Sequence, residues 1–410
     1  MATPPLWPHQ RRAIERARDR YREGSRAICM VAPTGAGKTR IGVEIATNAA
    51  RLRDVLWLAH RRELVAQARR KLPPGIRVAT VQELVASGDR PPAGVVVFDE
   101  AHHYVADRWR EVADHYADAI KIGLTATPER SDGRALGDLF DSLVVAAHYS
   151  ELLAGGYIVD CDVFAPAKRR SLAATPGEAL RAYGRKRQAI VFTDTVKAAI
   201  TGAATEGGAA ITERTPTYDR DLEIGRFLNG TTRTLWNVYT LTEGFDAPNA
   251  SLCVLARGAS HASTYLQMVG RVLRAAKDKP PAVVVDLVGS YHHHGHPTED
   301  RIYSLEGRAI SRAKPDPIWQ CRECGWVAPG TPADRTCPSC GAQLPEPEQL
   351  QIERRRIERQ ERNARATDAE RRAAYEALRA QANATGKKPG WADHVYRAKF
   401  GVFPPYIWKE

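Results

Sequence analysis

The sequence predicts an α/β protein, with parallel sheets covered by helices on both faces, a small cysteine-bearing module and a helical tail. Three observations predict it. Short apolar runs alternate with amphipathic stretches over most of the first 310 residues. A glycine-rich loop joins one such run directly to the helix after it. The alternation then stops at a stretch holding two Cys-x-x-Cys pairs.

The elements follow in order. Strands are expected at Arg26–Val31, Asp54–Ala59, Val95–Phe98 and Ile120–Leu124, with helices over Lys38–Arg51 and Arg61–Leu72. Gly155 and Gly156 break the pattern, and Ala165–Arg170 reads as a connection between domains. Strands resume at Ala189–Thr193, Thr234–Val238, Leu252–Leu255 and Ala282–Val288. Residues 349–380 lack Pro and Gly and read as one charged helix, with nine Arg against six acidic residues. The last segment interleaves Trp391, Tyr396, Phe400 and Trp408 with Lys387, Arg397 and Lys399. Such a segment can stack on bases or fold as a packed helix pair. The expected division is 1–152, 153–312, 313–348 and 349–410.

Composition excludes several classes. Hydrophobic residues make up 43% and charged residues 26% of 410, so the chain is globular rather than disordered or collagenous. It has no apolar run of membrane-spanning length. The start, MATPPLWPHQ, lacks a secretory pattern, so a cytoplasmic location is expected, with no membrane partner. The net charge of +12 favours an anionic partner. That inference is weakened because only 13 of the 60 basic residues are Lys, an Arg bias that a GC-rich genome writes by default. Cys29, Cys161 and Cys253 lie in apolar surroundings and read as core packing.

The chemistry concentrates in two places. In Ala32-Pro-Thr-Gly-Ala-Gly-Lys-Thr39, Gly35 and Gly37 let backbone amides, with Thr34, approach phosphate oxygens at a helix N-terminus. Lys38 is placed for the β- and γ-phosphates of ATP, and Thr39 for Mg²⁺. Asp99-Glu100 follows the apolar run Val95–Phe98, at a strand's carboxyl end where open α/β sheets bind ligands. One carboxylate there can hold Mg²⁺ while the other polarises an attacking water.

With these residues in view, the chain resembles the superfamily 2 helicases and translocases. Gln10 in Leu6-Trp-Pro-His-Gln10 matches the adenine-reading Q motif, and Ala32–Thr39 matches motif I. Leu58-Ala-His-Arg-Arg-Glu-Leu64 resembles motif Ia and Thr80-Val-Gln82 motif Ib. Asp99-Glu-Ala-His102 matches motif II and Leu124-Thr-Ala-Thr-Pro128 motif III. Ala189–Thr193, Leu241–Pro248 and Gln267–Arg274 resemble motifs IV, V and VI. The resemblance covers residues 6–274, with the motifs in the family's order. It implies two tandem RecA-like P-loop domains. It also implies that Gln10, Thr34, Gly35, Gly37, Lys38, Thr39, Asp99, Gly244 and Asp246 bind nucleotide. Lys38, Asp99, Glu100, Gln267, Arg271 and Arg274 are then catalytic, the two arginines as fingers on the γ-phosphate. His102, Thr125, Thr127 and Gln267 couple nucleotide to the cleft, while Arg61, Thr80, Gln82 and Thr193 touch the nucleic-acid backbone. His103 doubles the motif II histidine and is given no role beyond lining the cleft. Only 61 positions separate Lys38 from Asp99, leaving no room for a large insertion.

Cys321-x2-Cys324 and Cys337-x2-Cys340 lie twelve residues apart, each pair followed by Gly. Two such knuckles suit tetrahedral Zn²⁺ in a closed, structural site. His292-His-His-Gly-His296 sits in a loop after a strand, where a metal role is the weaker reading.

The ribbon, together with Gly390-Trp391-Ala392, Tyr396, Lys399-Phe400-Gly401 and Pro404, is similar to the RadD-like bacterial and phage helicases. One departure is Glu213, where those relatives carry Gly in an Ile-Thr-Gly pattern. The resemblance implies DNA as partner, repair, recombination or phage DNA metabolism as setting, and a single-strand-binding protein or a recombinase as protein partner. The alternatives are a motor subunit of a restriction or defence complex, an RNA helicase, or a zinc-anchored DNA-binding adaptor.

Overall fold

The computed structural model describes residues 5–104, 107–128, 135–165, 175–242, 244–306, 311–312, 318–321, 323–330, 332, 334, 336–343, 366–388, 390–400, 403–405 and 408. Two compact units divide the chain, Met1–Leu344 and Pro345–Glu410.

The first unit opens with α1 (Pro8–Arg22), then β1 (Ala27–Val31), α2 (Lys38–Ala49), β2 (Val55–Ala59), α3 (Arg62–Lys71), β3 (Arg77–Thr80) and α4 (Val81–Ser87). It continues through β4 (Val95–Asp99), α5 (Asp107–His115), β5 (Ile120–Thr125), β6 (Ser142–Val145) and α6 (Tyr149–Ala154). These six strands form one parallel sheet in the order β3-β2-β4-β5-β1-β6. β1, β2 and β4 are buried at every position. Helices on both faces explain their unbroken apolar sequences. Side chains alternate between two cores: Met30, Trp57 and Val97 face one, Cys29, Leu58 and Phe98 the other.

The second sheet uses β7 (Cys161–Phe164), β8 (Gln188–Thr193), β9 (Ala209–Ile211), β10 (Thr234–Asn237), β11 (Ala250–Ala256) and β12 (Ala282–Asp286). Between them run α7 (Pro176–Tyr183), α8 (Val196–Glu206), α9 (Thr217–Leu228) and α10 (Ala262–Leu273), and α11 (Ser290–His294) follows β12. The order β7-β12-β11-β8-β10-β9 is parallel throughout. β13 (Arg301–Ile302) and β14 (Ser311–Arg312) form a small separate pair.

A hairpin then extends the second sheet. β15 (Ile318–Gln320) pairs antiparallel with β16 (Trp326–Pro329), and β16 pairs antiparallel with β7. The cysteine-bearing segment therefore shares a sheet with the preceding lobe, across residue 313, where the sequence suggests a boundary.

The three scattered cysteines are buried, and burial pushes the Cys29 thiol up to about 12. His294 reaches the Ala259 carbonyl at 2.7 Å, and His296 pairs with the Thr298 hydroxyl at 2.8 Å. Arg301 donates to the carbonyls of both histidines. The loop's polar groups thus serve the fold. Among the described residues, no helix is long and apolar enough to cross a membrane.

In the second unit, helices span Asp368–Ala384 and Trp391–Phe400. The first starts at an extended Thr367, whose side chain accepts from Glu370 N in a capping box. One uninterrupted helix over 349–380 is therefore incorrect, because the capped break interrupts it; residues 349–365 lie outside the described residues. Tyr375, Ala392 and Tyr396 are buried together, with Trp391, Phe400 and Trp408 packed around them. Tyr375 donates to Asp393 at 2.6 Å. Aromatic burial holds this helix pair together.

Candidate nucleotide cleft and cysteine cluster

The loop between β1 and α2 is shaped by two glycines in the left-handed region, Gly35 (φ 96°) and Gly37 (φ 79°). A Cβ at Gly35 would collide with Ile158, and one at Gly37 with the Gln10 amide. Gln10 is buried, accepts from Trp7 N at 3.0 Å and donates to the Ala36 carbonyl at 3.0 Å. His9 reaches the same carbonyl at 2.9 Å. The start of α1 is thereby tied to the phosphate loop.

Asp99 ends β4, and Glu100 next to it is left-handed at φ 54°, a rare conformation for a residue with a side chain. Asp99 and Glu100 are both buried, and Lys38 pairs with each of them, at 3.3 Å to Asp99 Oδ1. Burial pushes the Asp99 carboxyl above its ordinary value; Lys38 opposes the shift and Glu100 adds to it. His102 lies 3.1 Å from the Thr125 hydroxyl and 3.7 Å from Glu100 Oε2. Thr125 in turn donates to the Thr127 carbonyl at 2.6 Å.

Across the cleft, α10 brings Gln267 and Arg271, both buried, and ends at Arg274. Arg271 and Arg274 donate to the Phe245 carbonyl at 2.6 and 2.9 Å, and Arg274 also pairs with Asp246. Gly270 allows the close approach, since a Cβ there would lie 2.5 Å from the Thr34 Cβ. Gly244 is left-handed at φ 68°, and its carbonyl accepts from Gln67 of α3. One cavity of about 360 Å³ gathers Thr34, Gly35, Gly37, Lys38, Thr39, Asp99 and Glu100 from the first lobe. It also gathers Gly244, Asp246, Arg271 and Arg274 from the second lobe. Its volume suits a small-molecule ligand. Glycine amides with Lys38, Arg271 and Arg274 beside buried carboxylates form a donor set that fits a nucleotide with Mg²⁺.

Two aromatic residues in this cleft escaped the sequence reading. Trp7 and Tyr157 line it with ring centroids 4.6 Å apart, tilted by 32°. Tyr157 follows Gly155-Gly156, which sequence shows only as a break; its place beside Trp7 depends on how the lobes meet.

The remaining expected contacts sit at the carboxyl edges of strands. Arg61 precedes α3, directly beyond β2. Thr80 is buried as the N-cap of α4, its hydroxyl accepting from Glu83 N at 3.0 Å. Gln82 donates to the His60 carbonyl at 3.3 Å. Thr193 ends β8 and is buried, donating to the carbonyls of Thr195 and Asn237. Thr193 thus donates within the protein, whereas Thr80 serves as an acceptor at the start of α4.

The four cysteines converge, their sulfurs all within 4.8 Å of one another. Sγ–Sγ separations are 3.6 Å for Cys321–Cys340 and for Cys324–Cys337. A tetrahedral site with Zn–S near 2.3 Å places sulfurs about 3.8 Å apart, so the cluster fits that ion, whereas a disulfide needs about 2.05 Å. Gly325 N donates to the Cys321 carbonyl at 3.0 Å, and Gly341 N to the Cys337 carbonyl at 2.8 Å. Trp326 Nε1 donates to Asp162 at 3.1 Å and Ala165 N to the Gly325 carbonyl at 3.0 Å, anchoring the first knuckle to β7.

Known proteins match this frame. The family model described as "Type III restriction enzyme, res subunit" matches residues 3–89 and 75–130, and "Helicase conserved C-terminal domain" matches residues 175–276. A Saccharomyces cerevisiae protein whose name includes ATP-dependent helicase IRC3 is 27% identical over 359 residues, covering 70% of this chain and 52% of that protein. The chain thus spans about half of that relative's length. The "DNA 3'-5' translocase XPB2" of Sulfurisphaera tokodaii is 25% identical, covering 63% of this chain and 77% of that protein. Among solved structures, a fragment assigned to an HsdR subunit of a type I restriction enzyme from Vibrio vulnificus shares the fold at TM-score 0.58. It is 21% identical and covers 73% of this chain and 66% of that one.

Proposed function

Because the chain belongs to superfamily 2 of the helicases, we propose that it is an ATP-driven motor that moves along DNA as a translocase or helicase. One observation carries the reading. A single cleft sets Lys38, Asp99 and Glu100 of the first lobe against Arg271 and Arg274 of the second.

In this reading the glycine amides and Lys38 hold the phosphates of ATP, and Thr39 and Asp99 hold Mg²⁺. Bound Mg²⁺ supplies charge that steadies the phosphates. Glu100 accepts a proton from the attacking water, and its left-handed backbone turns its carboxylate toward the loop. Arg271 and Arg274 stabilise charge developing on the transferred phosphoryl group. Trp7 and Tyr157 form the wall for the base, and Gln10 holds the start of α1 on the phosphate loop. Since α10 carries Arg271 and is capped by Arg274, closure of the lobes on ATP and reopening after hydrolysis would alternate the grip on DNA. Arg61, Gln82 and the edges near Thr80 and Thr193 form the backbone track. Cys321, Cys324, Cys337 and Cys340 hold Zn²⁺ as a structural ion.

The organisation that goes with this is two motor lobes, with a ribbon grafted on the second sheet and a separate helical unit after it. Membership of the RadD-like group, and a single-strand-binding protein or recombinase as partner, rest on the resemblance of the ribbon and tail alone. A second reading, the motor subunit of a restriction complex, is favoured by the restriction-enzyme family model and the HsdR fold. Co-purification of a nuclease would favour it.

The test is steady-state ATP hydrolysis with no nucleic acid, single-stranded DNA, duplex DNA or RNA. DNA-stimulated turnover that Lys38→Ala and Glu100→Gln lower by about a hundredfold or more supports the motor. Turnover untouched by either substitution overturns it, and stimulation by RNA alone moves the track to RNA.

A further inference from the structure

Beyond the DEAH histidine, two more histidines stand in line with the catalytic carboxylate. The His102 and His103 rings lie 4.2 Å apart, tilted by 38°. His103 and His60 also lie 4.2 Å apart, tilted by 32°. His60 is buried and directly precedes Arg61, the expected backbone contact at the start of α3. Its carbonyl accepts from Gln82 at the start of α4. At the other end, His102 lies 3.7 Å from Glu100.

The arrangement follows from the sheet. β2 and β4 are neighbours in parallel register, Leu58 opposite Phe98. Continuing β2 by two residues past Leu58 places His60 beside the short helical turn Ala101–His103 that follows β4. The three rings form a packed column from the nucleic-acid edge to the hydrolytic group. Close-packed interiors transmit displacement through such contacts, because rings in contact cannot move independently.

We propose that His60 and His103 are positioning residues that couple nucleic-acid binding at the α3–α4 edge to Glu100, through the stack His60–His103–His102. This rests on the motor reading above. Neither residue need touch nucleotide. A strand seated on Arg61 and Gln82 shifts the start of α3; the column passes the shift to His102, which sets the Glu100 carboxylate. The doubled histidine after Asp99-Glu-Ala therefore has a task distinct from lining the cleft.

The experiment compares full-length wild type with His60→Ala, His103→Ala and the double variant. It measures basal ATP hydrolysis, hydrolysis at saturating single-stranded DNA, and DNA affinity. Basal turnover and DNA affinity are expected to stay within about threefold, while stimulation by DNA falls about five- to tenfold. The double variant is expected to lose no more than either single one, since both break one column. Phenylalanine at either position retains a stackable ring and is expected to restore most of the stimulation. Where an alanine variant fails to fold, the asparagine variants take its place, with the same expected loss. Unchanged stimulation in the singles overturns the coupling, and so do additive losses in the double variant. A wild type indifferent to every nucleic acid instead overturns the motor reading itself, a result the variants cannot mimic.

Discussion

Lys38 is the side chain on which the cleft turns, because it bridges the two buried carboxylates Asp99 and Glu100. Taking away one partner of a buried ion pair leaves the other charge exposed to its full desolvation cost. Lys38→Ala should therefore lower stability as well as turnover, so Glu100→Gln is the cleaner test of chemistry. A second lysine lies behind the arginines. Lys279 donates to the Arg274 carbonyl at 2.6 Å, and its ammonium is pushed down from 10.5 to about 7 by burial, then by Arg274 and Arg187. Between about pH 7 and 10.5 the unfolded chain holds a proton that the folded chain has released. Stability from this residue is thus lowest below pH 7 and rises with pH through that window. Thermal melts of wild type and Lys279→Met should show wild type gaining relative stability from pH 7 to pH 10. A constant difference would contradict the assignment.

At the scale of elements, α10 is the piece that joins the lobes. Eleven of its twelve positions are buried, all but Thr264, including the polar Gln267 and Arg271, and Gly270 faces the phosphate loop. Thr34 has no long, flexible end that could yield to a new Cβ 2.5 Å away. Gly270→Ala should push α10 off the loop and displace Arg271 and Arg274 with it. Misplacement of about 1 Å at a catalytic group can cost up to a hundredfold. The expected result is kcat/KM for ATP down about tenfold or more, with little change in melting temperature. Kinetics equal to wild type would show that the helix does not set the finger geometry.

For the whole molecule, the shared sheet decides how the ribbon matters. β16 pairs with β7, and Trp326 and Gly325 bond to the same strand region. Loss of metal should therefore loosen the second lobe as well as the hairpin. Cys337→Ser is expected to release the ion, read by elemental analysis. It should lower the melting temperature of the protein by about 5 °C or more, because metal binding is folding free energy. A variant that loses zinc but melts like wild type would mean that the ribbon folds as an independent appendage.

The sequence by itself determined the parallel α/β class, eight of the strands, the phosphate loop, the Asp99-Glu100 pair and the four-cysteine knuckles. Each of these is local: an apolar run long enough for a buried strand, or a spacing that a turn must satisfy. It also carried both ends of the cleft, since Lys38 and Arg271 lie in recognisable motifs. Only the tertiary structure decided what meets across distance. Tyr157 beside Trp7, Gly270 against Thr34, the β7–β16 pairing and the His60–His103 stack all join residues far apart in the chain. The threonines illustrate the same limit. The resemblance has Thr80 and Thr193 touching the nucleic-acid backbone, and the fold adds partners of its own: a capping box for Thr80 and two carbonyls for Thr193. A hydroxyl's partner is chosen by whichever acceptor or donor the fold brings within about 3 Å, and that choice is not written in the spacing of residues along the chain.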